Sequence, residues 1–127
     1  MSHEEHHGEL LKNLAKEYKD IFESSGQAIY VYLDDNHFVC NKKFASLIGH
    51  ASSKEVEEMK GDFLGSFVTE ESQNNLSSAY QKAIEKFEGS AVKISWKKKG
   101  GGSVSTTVIL VPISYEGHLL ALHFISE

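Results

Sequence analysis

The chain of 127 residues contains no arginine: its 13 basic residues are all lysines, set against 18 acidic residues and a formal net charge of −5. Arginine's planar guanidinium, which donates two hydrogen bonds at once, is the side chain most used to hold phosphate groups and guanine bases. Its absence and the acidic balance argue against a protein that binds nucleic acid.

Cysteine and long apolar segments are scarce as well. Cys40 is the single cysteine, so no internal disulfide can form, which argues against a secreted, disulfide-built scaffold. The longest apolar run, "VILVPI" at residues 108–113, is far too short to cross a bilayer. The N-terminal "MSHEEHHGEL" is polar, unlike a secretory signal peptide. We therefore expect a cytoplasmic protein that has no membrane segment.

The remaining composition is typical of one globular domain. Hydrophobic residues make up 40% of the chain and charged residues 24%, which is ordinary for a folded protein. A chain of this length can bury a single core without disulfides or metals.

Apolar residues at spacings of three and four predict an amphipathic helix from residue 3 to about residue 24. We therefore divide the chain into an N-terminal helix, residues 1–24, and a domain, residues 25–127. The stripe consists of Leu11, Leu14, Tyr18 and Ile21. It must be buried either in a dimer interface or against its own domain, and the sequence leaves both open.

The stretch "IYVYLDDNHFVCNKKFASLIGH", residues 29–50, predicts a hairpin that runs directly into a short helix. Alternation over residues 28–33 indicates a strand, "DDNH" a tight turn, and residues 38–40 the returning strand. Asn41 is a good N-cap for the helix, Phe44 lies on its apolar face, and Gly49 ends it.

The rest of the chain is predicted to be helical first and then β. Short helical pieces fill residues 52–67, and a longer helix covers residues 70–87 after Thr69 as its cap. Alternation then predicts three strands near residues 92–96, 104–113 and 119–125. This order indicates an α+β fold in which the two N-terminal strands share an antiparallel sheet with the three C-terminal strands. The longer helix has an apolar stripe of Leu76, Tyr80, Ala83, Ile84 and Phe87.

The sequence resembles the PAS (Per-Arnt-Sim) domain family over about residues 21–127. "IFESSGQAIYVYLDDNHFVCNKKFASLIGH" looks like the family's opening, with Asn41, Phe44 and Gly49 in the expected places. "SFVTEESQNNLSSAYQKAIEKFEG" is similar to the segment that forms the family's connecting helix, and "HFISE" to its closing strand. The resemblance implies a five-stranded antiparallel sheet with helices covering one face, preceded by an amphipathic helix.

The resemblance also implies a sensory or interaction module without catalysis, commonly a homodimer joined through the helix before the first strand. On this basis Leu11, Leu14, Tyr18 and Ile21 are candidate dimerisation residues, and output is expected through a downstream signalling partner or through dimerisation. Two features depart from the family pattern: Phe124 stands where the family often has an aspartate, and the hairpin tip is "KKKGGGS".

A ligand pocket in such a fold would lie between the connecting helix and the inward faces of the strands. The candidate lining residues are Leu76, Tyr80, Ile84, Ile94, Val108, Leu110 and Leu122. The same residues would also form a filled core.

The cofactor, if there is one, stays unknown. The resemblance implies that haem would be held by a histidine of the connecting helix region, but residues 70–87 contain no histidine, so haem is disfavoured. It also implies that a flavin-binding light sensor would carry a cysteine in the central helical segment, and the corresponding "GDFLGSF" contains none, so cysteinyl-flavin photochemistry is disfavoured. Cys40 is expected to be buried and inert.

Other polar candidates have simpler interpretations. His3, His6 and His7 have the helical spacing of a metal site, but a solvated helix end is favoured. His50 is expected to be a partly exposed packing residue. His118 and His123 are expected on the sheet surface, although His123 would report pH if it faced a pocket. Lys97, Lys98 and Lys99 are expected to serve solubility.

Three functions follow as hypotheses. The first is a PAS-type module that binds a small ligand or a protein partner without catalysis. The second is a small cone-shaped α+β enzyme or carrier for a hydrophobic ligand, in which His123 or Tyr80 would carry the chemistry. The third is a structural dimerisation domain with a filled core.

Overall fold

A computed structural model describes residues 3–32, 38–59 and 63–126, with side chains from Glu9 onward. Leu33 and the predicted "DDNH" turn lie outside the described residues. The helices are α1 (His3–Glu17), α2 (Lys19–Ser24), α3 (Lys42–Leu47), α4 (Ser53–Glu57), α5 (Phe63–Phe67) and α6 (Glu70–Lys86). The strands are β1 (Ala28–Tyr32), β2 (Phe38–Cys40), β3 (Ser90–Lys97), β4 (Ser103–Tyr115) and β5 (His118–Ser126).

The strands form one five-stranded antiparallel sheet in the order β2-β1-β5-β4-β3. The N-terminal hairpin joins the C-terminal strands through β1 and β5, where Tyr30 lies opposite His123 and Val31 opposite Leu122. The predicted α+β fold is therefore confirmed, including the shared sheet.

Each face of the sheet packs against its own layer of helices. On the inner face, residues such as Tyr30, Trp96 and Val108 pack with apolar side chains of α3 to α6. On the outer face, Ile29, Val31 and other residues pack with those of α1 and α2. This division follows from the strand period of two, which sends successive side chains to opposite faces.

The N-terminal helix is broken into two pieces, whereas the sequence predicted one. Tyr18 has φ −101° and ψ 21°, outside helical geometry, and α2 begins at the next residue. Leu11 and Leu14 are buried against the outer face and Tyr18 is half-buried, but Ile21 is 51% exposed. The break turns Phe22 toward the sheet, so the predicted stripe does not continue to Ile21.

The connecting helix α6 ends one residue before the predicted boundary. Phe87 adopts the left-handed conformation, with φ 54° and ψ 39°, and the N–H groups of Phe87 and Glu88 both donate to the carbonyl of Lys82. Phe87 is mostly exposed, so it does not belong to the buried stripe. The chain must leave the helix axis here to enter β3, and the helical spacing of the sequence does not register that change of direction.

Asn41 joins three elements at the start of α3. Its side-chain oxygen accepts hydrogen bonds from the N–H groups of Phe44 and Ile29, each at 3.0 Å. Its side-chain N–H groups donate to the carbonyls of Phe22 at 3.2 Å and Gln27 at 3.0 Å. The predicted N-cap is confirmed, and the same side chain also ties α2 to the first strand.

The lysine-rich hairpin tip is attached to the helical layer. Lys97 Nζ donates to the carbonyl of Gly65 and Lys99 Nζ to Glu55 Oε1, each at 2.8 Å. His50 Nδ1 lies 2.8 Å from the same Glu55 oxygen. The bond with Lys99 and then the bond with His50 lower the pKa of Glu55 to about 2. Lys97 and Lys99 therefore hold the hairpin in place, beyond the solubility role predicted for them.

Among the described residues, no helix is both long enough and apolar enough to cross a membrane.

Candidate functional site

A cavity of about 270 Å³ lies between the inner face of the sheet and helices α5 and α6. The sheet contributes Tyr30 and Tyr32 from β1 and His123 from β5. The helices contribute Phe63, Leu64, Leu76, Ser77, Tyr80, Gln81, Ile84 and Glu85. Aromatic rings therefore form much of the wall, and Glu85 is the one charged side chain among these described lining residues.

The structure brings together only part of the predicted lining set. Leu76, Tyr80 and Ile84 border the cavity. Ile94, Val108 and Leu110 are buried in the inner core without bordering it.

Leu122 lies on the outer face, where it packs with the cluster under α1, so its predicted place in the pocket is corrected. Strand alternation explains this position. Leu122 is two residues after Leu120, which also packs on the outer face, whereas the next residue, His123, turns toward the cavity.

His123 is a deeply buried polar residue of the site. Only 1% of it is exposed, and it stacks on Tyr30 with ring centroids 4.0 Å apart and planes at 13°. Burial lowers the pKa of His123 from its ordinary 6.5 to about 3, and the backbone of Ala121 and of Tyr30 opposes that shift only in part. The imidazole is therefore neutral at physiological pH.

The Nδ1 atom of His123 is buried and has no hydrogen-bond partner, and the same is true of the hydroxyl oxygen of Tyr30. Most buried polar atoms in folded proteins have a partner. Two such exceptions on stacked residues that both line one cavity are therefore the most informative feature of the site.

Tyr30 is held in position by rings on several sides. Its centroid lies 5.1 Å from that of Phe44, 5.2 Å from that of Phe63 and 5.6 Å from that of Trp96. Burial, with a smaller contribution from Tyr32, raises the pKa of Tyr30 well above its ordinary value. Its hydroxyl therefore stays protonated and is able to donate or accept one hydrogen bond.

Tyr30 is absent from the sequence-based candidates, and His123 appears there only as a pH reporter if it faced a pocket and as the catalytic group of the alternative enzyme. His123 was expected on the sheet surface, and its burial comes from the helices that cover the inner face. One signal was available: His123 alternates with Leu122 and Phe124, and Tyr30 alternates with Ile29 and Val31. Once the outward residues were identified, both polar side chains had to point inward.

Cys40 is a free, buried thiol, as predicted. Burial, and after it the neighbouring Glu57 carboxylate, raises the pKa of Cys40 strongly. Glu57 Oε2 accepts a hydrogen bond from the Cys40 backbone N–H at 3.0 Å, and burial raises the pKa of Glu57. A thiol with a raised pKa is a poor nucleophile, so Cys40 has the properties of a packing residue.

No metal site is found among the histidine side chains that the structure describes. No group of three or more possible metal ligands occurs among the residues that the structure describes, and the side chains of His3, His6 and His7 lie outside that part of the chain. His50 is half-buried and contacts Glu55, and His118 lies half-buried at the start of β5.

Comparison with solved structures places this architecture among PAS domains, although no family model and no curated protein matches the sequence. A PAS domain from Colwellia psychrerythraea superposes with a TM-score of 0.68 at 19% identity, covering 90% of this chain and 96% of that one. A PAS domain of a two-component sensor histidine kinase gives 0.65 at 11% identity, with 91% and 98% covered. A PAS domain of an HTR-like protein from Haloarcula marismortui gives 0.63 at 18% identity, with 96% and 98% covered. The chain has a PAS fold.

Proposed function

We propose that this chain is a non-catalytic sensory module that binds a small ligand in the cavity between the sheet and α6. The observation that carries the proposal is the cavity itself, whose wall includes Tyr30 and His123, two residues that each bury a polar atom without a partner. Fold alone does not determine function, so the proposal depends on the site.

An unpaired buried polar atom costs roughly 1–3 kcal/mol of folding free energy. A filled core avoids that cost by placing apolar side chains at such positions, whereas a ligand site keeps polar groups that the ligand completes. The open volume of the cavity, together with the two unpaired polar atoms on residues that line it, favours a ligand site over a purely structural dimerisation domain.

The size of the cavity favours a small ligand. Its volume of about 270 Å³ falls near the lower end of the range of about 300–1,000 Å³ that ligand pockets occupy. A cavity of this volume is small for haem, which the sequence analysis also disfavours.

The chemistry of the lining favours binding over catalysis. General acid–base chemistry needs a group whose pKa lies near the working pH, but burial holds the pKa of His123 at about 3. Glu85, the one carboxylate among the described lining residues, is an exposed residue. This weakens the alternative of a small enzyme.

The signal would pass to a second copy of the chain or to a downstream signalling protein. Leu11 and Leu14 of the predicted dimer interface are covered by the chain's own sheet. Ile109 and Val111 on the outer face, 41% and 38% exposed, are apolar surface left for a second copy. A cytoplasmic location stays a prediction.

The experiment is a screen of small-molecule fragments by native mass spectrometry and by ¹H–¹⁵N correlation spectra of the purified chain. Ile84→Trp places an indole in the cavity and should abolish bound mass and spectral shifts. Lys82→Trp, at an exposed position of the same helix, is the matched control and should bind as the wild type does.

Ser77→Phe provides a second blocking variant in case Ile84→Trp fails to fold. If no fragment binds the wild type, or if the blocked and control variants bind equally, the chain does not use this cavity for a ligand. A filled-core interaction module would then be the better description.

A further inference from the structure

Strand β3 forms one edge of the sheet, and the chain pairs with only part of that edge. Val68 forms an antiparallel bridge with Trp96, and the N–H of Thr69 donates to the carbonyl of Ser95 at 3.0 Å. The N–H of Ser95 donates to Ser72 Oγ, also at 3.0 Å. The chain then continues as α6, so the pairing along this edge stops at Ser95.

The alternation of the ladder identifies the backbone groups that stay unpaired. Ser95 lies opposite Ser105 on β4, but its N–H and C=O point away from β4, to the bonds just described. In an antiparallel ladder the backbone groups of residues two apart point the same way. Those of Lys93 and Ala91 therefore point outward too, and they have no partner in the part of the chain that the structure describes. Both residues are exposed, and such an edge is a template for another strand.

There is room for a further strand beside this edge. A cleft of about 450 Å³ lies between β3 and the first turns of α6. Its lining comprises Lys93, Ile94 and Ser95 of β3, Glu71, Ser72 and Asn75 of α6, and residues 105–107 of β4. An extended segment placed in line with the Val68 bridge would enter this cleft and bond to the unpaired groups.

The charges beside the edge favour a particular kind of segment. Ile94 and Trp96 pack in the inner core, so Lys93 points to the outer face. Lys93 is exposed and has no ion pair among the described residues. A residue opposite Lys93 would share its face, whereas the flanking residues would turn toward α6 and Glu71. A carboxylate is therefore favoured opposite Lys93, and uncharged polar side chains are favoured on either side.

The same lysine disfavours other occupants. Lysine on an edge strand discourages pairing with apolar strands, and it would repel a basic one. A second copy that paired through this edge would bring another Lys93 into the same short ladder, which is also unfavourable.

We propose that the edge of β3 at Ala91 and Lys93 binds an extended acidic segment of a partner protein. The segment adds to β3 as an antiparallel strand and places a carboxylate beside Lys93. Binding at this edge does not depend on a ligand in the cavity.

The test titrates two capped peptides, TTETETT and TTKTKTT, into the full chain and follows ¹H–¹⁵N correlation spectra. We expect the acidic peptide to bind about fivefold more tightly, and the difference to shrink as salt is added. Amide hydrogen exchange gives a second readout. The amides of Ala91 and Lys93 should exchange fast in the free protein and more slowly with the acidic peptide. Those of Val92 and Ile94, which face β4, should exchange slowly throughout.

N-methylation of the peptide tests the backbone bonds directly. Methyl groups on both glutamate nitrogens remove the donors that face β3 and should weaken binding at least fivefold. A methyl group on the central threonine nitrogen, which faces away from β3, is the matched control and should leave binding unchanged.

Variants of the chain test the same bonds from the other side. Ala91→Pro removes an edge N–H without touching the ladder to β4, a position where proline is tolerated, and should weaken the acidic peptide at least fivefold. Ala91→Ser keeps the N–H and should bind as the wild type does. Lys93→Glu keeps every backbone group and should reverse the preference between the peptides, which tests the proposal even if Ala91→Pro does not fold.

Several results would overturn the proposal: no binding of either peptide, equal binding of both, equal effects of the two methylation patterns, or wild-type binding by a folded Ala91→Pro. Slower exchange of Ala91 and Lys93 as the concentration of the protein alone rises would show that a second copy occupies the edge, and it would overturn the proposal too. None of these results concerns the cavity, which the fragment screen with Ile84→Trp tests separately.

Discussion

At the scale of single residues, His123 makes folding stability depend on pH. Its pKa is about 3 in the folded protein and an ordinary 6.5 when unfolded, so the unfolded chain binds more protons between these values. Stability is therefore complete above about pH 6.5 and falls as the pH drops toward 3. Between pH 7 and pH 5 we expect the free energy of unfolding to fall by about 2 kcal/mol from this residue.

The measurement is urea unfolding of the wild type and of His123→Asn at pH 7, 6 and 5. The free energy of unfolding of each protein is plotted against pH, and the difference between the two pH dependences gives the contribution of the imidazole. The comparison is needed because Glu57, whose pKa is raised, titrates with the opposite effect in both proteins. Glu55, with its pKa lowered to about 2, loses its stabilising effect only below pH 4.5. Parallel pH profiles for wild type and variant would show that His123 is not buried as described.

Asn41 carries more hydrogen bonds than its place in a short motif suggests. Its side chain bonds to four backbone groups, and Asn41→Ala would leave several of them buried without partners. We expect a loss of about 3 kcal/mol in the free energy of unfolding. Trp96, the single tryptophan and fully buried, provides the fluorescence signal.

Asn74→Ala at an exposed position of α6 is the matched control for Asn41→Ala, and its effect should stay within about 0.5 kcal/mol. Equal effects of the two substitutions would contradict the bonding role assigned to Asn41.

The residues of the candidate site were predictable to different degrees. Helical spacing identified Leu76, Tyr80 and Ile84 because one face of α6 is apolar. It could not place Leu122, since an apolar residue is compatible with either face of a sheet that is covered on both sides. The burial of His123 depends on helices elsewhere in the chain, and a single sequence does not show which strand face they cover.

At the scale of elements, α1 is a layer of the domain rather than a free helix. Leu14 is fully buried between α1 and the sheet, whereas Ile21 on α2 is 51% exposed. Leu14→Ala should therefore lower the free energy of unfolding by about 3 kcal/mol through lost burial and a cavity. Ile21→Ala should change it by less than about 0.5 kcal/mol.

The two substitutions are measured side by side in urea, at two protein concentrations. A helix that is stable only in a dimer interface would give losses that depend on concentration and that are similar at both sites. That result would show that α1 does not pack on its own sheet.

The elements themselves were largely predictable from the sequence, because alternation and helical spacing are local. All five strands of the sheet were located, and the two N-terminal strands were correctly expected in one sheet with the three C-terminal strands. The break at Tyr18 and the turn at Phe87 were not predicted. Both depend on where the helix must point to reach the sheet, which apolar spacing does not encode.

At the scale of the whole molecule, β5 lies between the helices of the inner face and the helices of the outer face. His123 faces the cavity, while Leu122 and Phe124 face the cluster under α1 and α2. A ligand in the cavity would therefore lie against a strand whose other side supports the N-terminal helices. This gives the proposed sensor a short physical connection from cavity to outer surface, and it makes that surface the place to look for output.

The outer surface contains the apolar strip that we propose for a second copy. On β4, Ile113 and Tyr115 pack with the outer-face cluster under α1 and α2, but Ile109 and Val111 on the same face of the strand are partly exposed. Exposed apolar residues beside a covered surface are typical of interaction sites. In a symmetric pair, Val111→Glu would bring two like charges into one interface.

We therefore expect the wild type to sediment at twice the chain mass of 14.1 kDa and Val111→Glu to sediment as a monomer with unchanged stability. Ser105→Glu adds the same charge to an exposed residue of the same strand, roughly 20 Å away, and should leave the dimer intact. Ile21→Glu tests the helix: if it alone dissociates the dimer, the interface lies on α2. A wild type that stays monomeric at every concentration would leave only a separate signalling protein as the means of output, because no second copy would then receive the signal.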